Sequence, residues 1–328
     1  MVQMAHVLCP VDFSDHSRHA LDHAATFARW YGAKITALYV HRLAPAEFMA
    51  WPNVGLVSLP PMAMTEAQRA DAHDALTEFV AGDRAAGVPI QTQVLEELSV
   101  ASAIADQARR RGADLIAMGT HGRSGFERLL LGSVTEQIIR LAECPVLTVP
   151  PRVADCVPRA PMAIERIVCA VDFSAASAQV LALAVSLATT FDATLTVLHV
   201  LELLPDTLEL PFGASAYRAT RFEDARARLD ALLTPTMRNG CRTQELFLGG
   251  RPSREILRVA AEQQCGLITL GVHGRGFVDH VFGSTAAHVV RHATCPVMTV
   301  GQRSVASVRV AAHEASGSVA ATSCLTPV

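Results

Sequence analysis

Two kinds of apolar run alternate along the chain. Short runs that are almost continuously apolar predict strands near residues 6–12, 34–41, 90–96, 114–119 and 145–149. Between them, apolar residues recur at a helical period and predict helices near residues 15–31, 65–86, 99–111 and 133–142. Strands such as "ITALYV" are apolar on both faces, which is typical of a parallel sheet covered by helices on both sides. The pattern predicts an α/β fold.

The same order of elements occurs twice. "VDFS" at residues 11–14 returns at residues 171–174, "GTHGR" returns as "GVHGR", and "ECPVLTV" returns as "TCPVMTV". Three landmarks in one order indicate a duplicated domain. We expect domains at residues 1–150 and 164–301, each an open, five-stranded parallel sheet of order 3-2-1-4-5 with helices on both faces.

The remaining segments differ in composition from these domains. Residues 151–163 are the predicted linker, where the stretch "PPRVADCVPRAP" holds four prolines and is therefore stiff. Residues 302–328 lack periodicity and are expected to be disordered. Proline-containing insertions follow the second strand of each half, and each is either a plain surface loop or a cover for a pocket.

Local chemistry predicts several helix ends. Ser99 is expected to cap the helix that follows it, and Gly112 to end that helix in the left-handed conformation. Ser133 and Glu136 have the spacing of a capping box.

Charge and composition exclude several classes of function. The chain has 28 basic and 31 acidic residues, a net charge of −3, and no basic stripe for nucleic acid. The amino terminus does not resemble a signal peptide, and no apolar run reaches the roughly 20 residues that span a membrane. We therefore expect a cytoplasmic protein that binds neither nucleic acid nor membrane.

Eight cysteines occur without a CxxC pair. Five of them lie at or inside predicted strands: Cys9, Cys144, Cys169, Cys265 and Cys295. We interpret these five as small buried apolar residues in a reducing compartment, with a metal or redox role as the alternative.

The stretch "GTHGRSGFERLLLGSV" from Gly119 to Val134 is the main candidate for chemistry. In order 3-2-1-4-5 a ligand crevice opens between the first strand, which Asp12 follows, and the fourth, which Gly119 ends. Glycine permits close approach of the backbone to a polyphosphate, and the helix that begins at Ser133 offers free N–H groups to an anion. The spacing predicts a phosphate-binding loop.

Each of these residues also has a purely structural interpretation. Glycines at strand ends are commonly turn residues, Asp12 is a possible helix cap, and His121 is more typical of a turn than of a ligand. Arg123 and Arg128 either add a charge or lie in solvent. Because the whole set recurs in the second half, the sequence favours binding.

Taken together, these motifs resemble the universal stress protein family in a tandem form, over residues 4–150 and 164–301. Its nucleotide-binding members carry Gly, two residues, Gly, nine residues, then Gly with Ser or Thr, which the first half matches in full. The resemblance implies an ATP-binding stress-response protein, with or without Mg²⁺. The residues implied as nucleotide contacts in the first half are Asp12, Val40, Gly119, His121, Gly122, Arg123, Gly132, Ser133 and Val134.

The second half departs from this pattern. Its matching residues are Asp172, Val200, Gly271, Gly274, Gly283 and Ser284. Only eight residues separate Gly274 from Gly283, and Ala287 stands where the first half has Glu136. We expect a weaker site there.

The function that this implies is a nucleotide-dependent binding or regulatory module and not an enzyme. The chain lacks the lysine-containing GxxxxGK[ST] loop and the G-x-S-x-G nucleophile turn. The alternatives are a slow ATPase that uses His121 or Asp12, and a nucleotide-free dimerisation scaffold. The fifth strands are apolar edges that need cover, so we expect an intramolecular pseudo-dimer through them and leave a further homodimer open.

Overall fold

The computed structural model describes residues 3–43, 47–51, 55–59, 63–82, 87–121, 131–151, 164–202, 214–272, 282–301 and 304. The elements of the first half are β1 (His6–Pro10), α1 (Asp15–Tyr31), β2 (Lys34–Arg42), β3 (Glu47–Trp51), β4 (Gly55–Leu59), α2 (Glu66–Val80), β5 (Ile90–Glu97), α3 (Val100–Arg111), β6 (Leu115–Gly119), α4 (Ser133–Leu141) and β7 (Val146–Val149). Those of the second half are β8 (Arg166–Ala170), α5 (Ser177–Phe191), β9 (Thr194–Leu201), α6 (Ala214–Leu232), α7 (Pro235–Gly240), β10 (Arg242–Gly249), α8 (Pro252–Glu262), β11 (Leu267–Gly271), α9 (Ser284–His292) and β12 (Val297–Val300).

One sheet of ten strands runs through both halves, in the order β10-β9-β8-β11-β12-β7-β6-β1-β2-β5. In this sheet, all neighbouring strands that belong to the same half are parallel. Counted along each half without the β3–β4 hairpin, the order is 3-2-1-4-5. The α/β fold and its parallel sheets are as the sequence predicts.

The two halves meet at an antiparallel pair, β7 with β12, in which Val297 lies opposite Thr148. The side-chain bonds across this seam are reciprocal. Thr148 Oγ1 donates to Val297 O at 3.0 Å, and Thr299 Oγ1 donates to Val146 O at 3.3 Å. Next to the strands, the ring of Phe191 in α5 packs edge-on against Phe27 in α1, with centroids 5.4 Å apart. Each of the two hydrophobic core clusters therefore contains residues of both halves.

The predicted helix ends are partly confirmed. Ser99 caps α3 by accepting from Ser102 N, and Gly112 ends it with φ 59°. The Ser133–Glu136 capping box is wrong, because the N-cap of α4 is Gly132 and no side chain caps it. Ser133 is already inside the first turn, and the Glu136 side chain pairs with Arg140 instead.

The insertion after β2 contains structure that the sequence does not predict. Strands β3 and β4 pair there as a two-stranded antiparallel sheet, with Glu47 opposite Leu59. The centre of the second insertion (residues 203–213), most of the predicted linker (152–163) and nearly all of the tail lie outside the described residues. The domain limits thus stay a prediction.

The cysteines at the strands are mostly buried, as expected. Cys9, Cys144, Cys169 and Cys265 are buried, whereas Cys295 is half-buried. In the part of the chain that the structure describes, no helix is both long enough and apolar enough to cross a membrane.

Candidate functional site

The first candidate site lies where β1 and β6 run side by side, with Val7 opposite Leu115. Asp12 follows β1, Gly119 ends β6, and Val40 lies on β2, the other neighbour of β1. The start of α4 is attached to the end of β6, because Thr135 Oγ1 donates to Gly119 O at 3.0 Å. These residues gather at the carboxyl ends of the strands. Two further predicted contacts, Gly122 and Arg123, lie outside the described residues.

The described glycines of this site are required by contacts within the protein itself. A Cβ added to Gly119 would lie 3.2 Å from His16 Cβ and 3.2 Å from His121 O. One added to Gly132 would lie 3.1 Å from Thr120 O. Gly132 N also donates to Thr120 O at 2.9 Å, so this amide is occupied. Close backbone packing is therefore a sufficient reason for these two glycines.

The free amides lie one residue further on, in the first turn of α4. The N–H groups of Ser133 and Val134 have no acceptor within the helix, since the first turn of any α-helix lacks partners. Gly132 has no side chain to cap them, whereas Ser14 caps α1 through its hydroxyl. The second half repeats this arrangement, with Gly283 as the uncapped N-cap of α9. Each such end favours an anion through its N–H groups and its dipole.

The two aspartates fix the turns after β1 and β8. Asp12 Oδ1 accepts from Ser14 N at 3.1 Å and from Ser14 Oγ at 2.5 Å. Asp172 Oδ1 accepts from Ser174 N at 2.9 Å and from Ser177 Oγ at 2.8 Å. Asp12 therefore shapes the entry to α1, but the N-cap itself is Ser14.

Between each aspartate and serine, a phenylalanine has a left-handed backbone, with φ 65° at Phe13 and φ 59° at Phe173. Such a φ is uncommon for a bulky residue. The Phe13 ring lies 4.8 Å from the Tyr39 ring, and the Phe173 ring 4.3 Å from the His199 ring, between centroids. The sequence analysis does not predict these ring pairs. The repeated "DFS" is the sequence signal that could have indicated them.

His121 lies in the turn after β6 and is half-buried. Its Nδ1 is 2.9 Å from Thr120 Oγ1, and its ring centroid is 5.9 Å from that of His16 in α1. These contacts place His121 against the first helix, and whether it also contacts a ligand stays a prediction.

The second half contains a cavity of about 470 Å³ at the equivalent place. The described residues that the sequence assigns to this site all line it: Asp172, Val200, Gly271, Gly283 and Ser284. Leu198, Ile256 and Leu270 contribute apolar wall, and Arg221 and Glu202 contribute charge. Gly274 lies outside the described residues. The shorter loop has not removed the crevice from the second half.

Comparison with known proteins gives the family. The model of the universal stress protein family matches residues 4–150 and again residues 163–301. The chain is a tandem member of the universal stress protein family. A universal stress protein of Methanocaldococcus jannaschii is 38% identical over 143 residues, which cover 44% of this chain and 80% of that protein. One from Bacillus subtilis is 30% identical over 145 residues, or 44% of this chain and 97% of that protein.

The tandem arrangement has a counterpart among solved structures of universal stress proteins. One from Archaeoglobus fulgidus superimposes with a TM-score of 0.64 over 91% of this chain and 97% of its own, at 21% identity. A second, from Pseudomonas aeruginosa and described as a putative universal stress protein, gives a TM-score of 0.60 at 17% identity. At these identities the likeness shows the fold alone.

Proposed function

We propose that this universal stress protein binds ATP in the crevice of each half and acts as a nucleotide-dependent binding module in the stress response. One observation carries the proposal: five residues of the second-half motif line a single cavity of about 470 Å³. This volume lies within the range of roughly 300–1,000 Å³ that is usual for small-molecule sites. The uncapped end of α9 lies at that cavity, since Gly283 and Ser284 both line it.

The chemistry of the lining suits the parts of a nucleotide. The apolar residues Leu198, Val200 and Ile256 offer a surface for the base. Asp172 Oδ1 already accepts two hydrogen bonds, so Oδ2 is the acceptor for a ribose hydroxyl. The first-turn N–H groups of α9 receive the phosphates. Hydrogen bonds to a charged group are worth about 1.5–3 kcal/mol each, so three of them supply much of the roughly 8 kcal/mol of micromolar binding.

The same geometry supports binding rather than cleavage. The two aspartates hold turns through their own serines, and the phosphate end of the cavity is built from main-chain amides. Among the described residues, no group of three or more His, Cys, Asp or Glu side chains is placed to hold a metal ion.

We further propose that the two halves function as an intramolecular pseudo-dimer. The reciprocal bonds of Thr148 and Thr299 across the β7–β12 seam support this proposal, because each half uses the same patch, as in a two-fold dimer. The pairing also covers two edge strands that would otherwise promote aggregation.

The direct test is to denature the purified chain and identify the released nucleotide by mass spectrometry.

The helix ends are tested separately by the variants Ser133→Asp and Ser284→Asp, with Ser133→Asn and Ser284→Asn as uncharged controls. Both serines are exposed, and a carboxylate in the first turn stabilises a helix by about 0.3–1 kcal/mol. We expect the Asp variants to stay folded and to lose ATP, whereas the Asn variants retain it.

ATP retained at the wild-type level by the double Asp variant would overturn the proposed phosphate site. Release of no nucleotide, together with no binding of added ATP in calorimetry, would overturn the function and favour the dimerisation scaffold.

A further inference from the structure

A groove of about 710 Å³ lies at the amino ends of three strands of the second half, β8, β9 and β10. Its lining includes Glu165 and Arg166 at the start of β8, Thr194 at the start of β9 and Arg242 at the start of β10. The candidate ATP crevice of this half lies at the carboxyl ends of the strands. Among the described residues, it has no lining residue in common with this amino-end groove. The groove is therefore a separate feature of the molecule.

In the first half, the protein's own side chains bind the equivalent strand start. Asp114 Oδ2 accepts from Ala5 N at 2.8 Å and from His6 N at 3.0 Å. The ring of His6 is held at both nitrogens, with Nε2 2.8 Å from Thr36 Oγ1 and Nδ1 3.2 Å from Arg111 O. A carboxylate thus accepts from the backbone at the start of β1, and an imidazole links it to its neighbours.

The second half has a different residue at each of these two positions. Asp114 N donates to His6 O, and in the same way Gly266 N donates to Arg166 O, each at 2.9 Å. Arg166 therefore stands at the position of His6, and Gly266 at that of Asp114. Because Gly266 has no side chain, no carboxylate from this position reaches the N–H groups of Glu165 and Arg166. Two backbone donors at the start of β8 thus lack the acceptor that β1 has.

The guanidinium of Arg166 has little hydrogen bonding within the described part of the chain. Arg166 is half-buried, and its Nη2 lies 3.5 Å from Gln264 Oε1, which is a long hydrogen bond. Its Nε is buried and has no acceptor among the described residues. A guanidinium in such surroundings favours a carboxylate or a phosphate, whose oxygens accept two parallel hydrogen bonds.

The acidic residues of the groove do not supply that acceptor. Asp192 Oδ1 lies 3.3 Å from Arg242 Nη2, and Glu262 pairs with an arginine of α8 that does not line the groove. Glu165 is exposed to solvent. Within the part of the chain that the structure describes, Arg166 is thus a lining cation without a carboxylate partner, next to two backbone donors that also lack one.

We propose that the amino-end groove binds a small molecule through a carboxylate group. This carboxylate takes the place that the Asp114 carboxylate has in the first half. It accepts from the N–H groups of Glu165 and Arg166, and the guanidinium of Arg166 pairs with its charge. A charged acceptor with several donors makes stronger hydrogen bonds than a neutral one.

The rest of the lining indicates a polar body for this ligand. Thr194 offers a hydroxyl group, and Gln244 and Gln264 offer amide groups that donate and accept. Both glutamines are exposed, so they lie at the open side of the groove. The ligand class is therefore a small carboxylic acid that carries further hydroxyl, amide or amino groups.

The test uses acetate as the probe, because acetate carries only the group that the proposal requires. Acetate is titrated into the deuterated, nitrogen-15-labelled full chain at constant ionic strength, and the nitrogen–proton signals are followed by NMR. We expect saturable shifts of the backbone signals of Glu165 and Arg166 and of the Arg166 Nε–H signal. Acetamide, which is neutral, is expected to shift none of the three.

Two variants test the donors and the position of the carboxylate. Gly266→Asp restores the side chain that the first half has, and Gly266 is not one of the described glycines with a positive φ. We expect this variant to melt at a higher temperature and to lose the acetate shifts, since its own carboxylate accepts from the same N–H groups. Arg166→Gln is expected to weaken acetate binding at least about tenfold, because a charge-assisted contact is lost.

Arg254→Gln is the matched control. It removes the same charge from an exposed position of α8 that does not line the groove, and we expect it to bind acetate as the wild type does. The proposal is overturned if acetate leaves the signals of Glu165 and Arg166 unchanged, or if Arg166→Gln binds acetate as tightly as the wild type. Inorganic phosphate that shifts these signals at lower concentration than acetate would overturn the assignment to a carboxylate.

Discussion

The two crevices of this protein are built from the same elements but are held together differently. In the first half, Thr135 attaches the start of α4 to the end of β6 through Gly119 O. In the second half Ala286 stands at that place and is one of the residues lining the cavity of about 470 Å³. The first half, which has the complete glycine motif, thus has a side-chain hydrogen bond between helix start and strand end. The second half has alanine in place of the donor.

The described walls of the second-half cavity come from strand ends and a helix start. Asp172 follows the end of β8, Gly271 ends β11, and Gly283 precedes α9. The sheet topology brings all three to the cavity. These walls are present although the second half has one residue fewer between Gly274 and Gly283 than the first half has between Gly122 and Gly132.

The largest loss of stability is expected at Gly119, where the backbone of the first half packs closely against His16. Gly119→Ala places a Cβ 3.2 Å from His16 Cβ and 3.3 Å from the His16 carbonyl carbon, and neither atom can swing aside. We expect the free energy of unfolding to fall by about 1–3 kcal/mol, measured by urea denaturation. Gly240→Ala is the control, because its Cβ would meet Thr189 Oγ1 at an ordinary 3.5 Å. Equal stability of the two variants would contradict the packing role of Gly119.

A smaller loss of stability is expected when the hydrogen bond from Thr135 to Gly119 O, which distinguishes the two crevices, is removed. Thr135→Ala gives the first half the residue that the second half carries at Ala286. The buried Gly119 carbonyl then loses a donor at 3.0 Å, so we expect a loss of about 1 kcal/mol in unfolding free energy. Thr285→Ala, at a half-exposed position in α9, should change it by less than about 0.5 kcal/mol. The prediction is wrong if the two variants lose the same amount.

The smallest expected effect is a pH dependence of stability that arises from His6. This residue begins β1, whereas Arg166 begins the equivalent strand β8. His6 Nε2 lies 2.8 Å from Thr36 Oγ1, and Nδ1 lies 3.2 Å from Arg111 O. Burial is the main cause that lowers the pKa of His6, while its bond to Arg111 partly opposes it. Below about pH 6.5, the usual histidine value, the unfolded chain therefore binds a proton that the folded chain refuses.

The stability that neutral His6 provides is thus complete above about pH 6.5 and is lost as the pH falls toward the folded-state pKa. We expect the difference in unfolding free energy between the wild type and His6→Gln to shrink between pH 7.5 and pH 5.5. The other histidines are common to both chains and cancel in this difference. A difference that is constant or grows on acidification would contradict the assignment.

Sequence reasoning predicts the sheet well because apolar strands and repeated landmarks are local signals. Ser99 and Gly112 were found as helix ends for the same reason. The predicted capping box at Ser133 is wrong, because a glycine N-cap leaves no side-chain signal and the serine lies in the first turn instead. The roles of Gly119 and Gly132 depend on contacts with His16 and Thr120. One-dimensional spacing does not reveal such contacts.

The antiparallel seam has a consequence for how partners reach the molecule. Because β7 and β12 run in opposite directions, the carboxyl ends of the first-half strands point one way and those of the second half point the other. The two crevices therefore open on opposite rims of the ten-stranded sheet. A single flat partner surface therefore contacts only one of them at a time, and the two rims are connected through the β7–β12 pair and through the contact of Phe27 in α1 with Phe191 in α5.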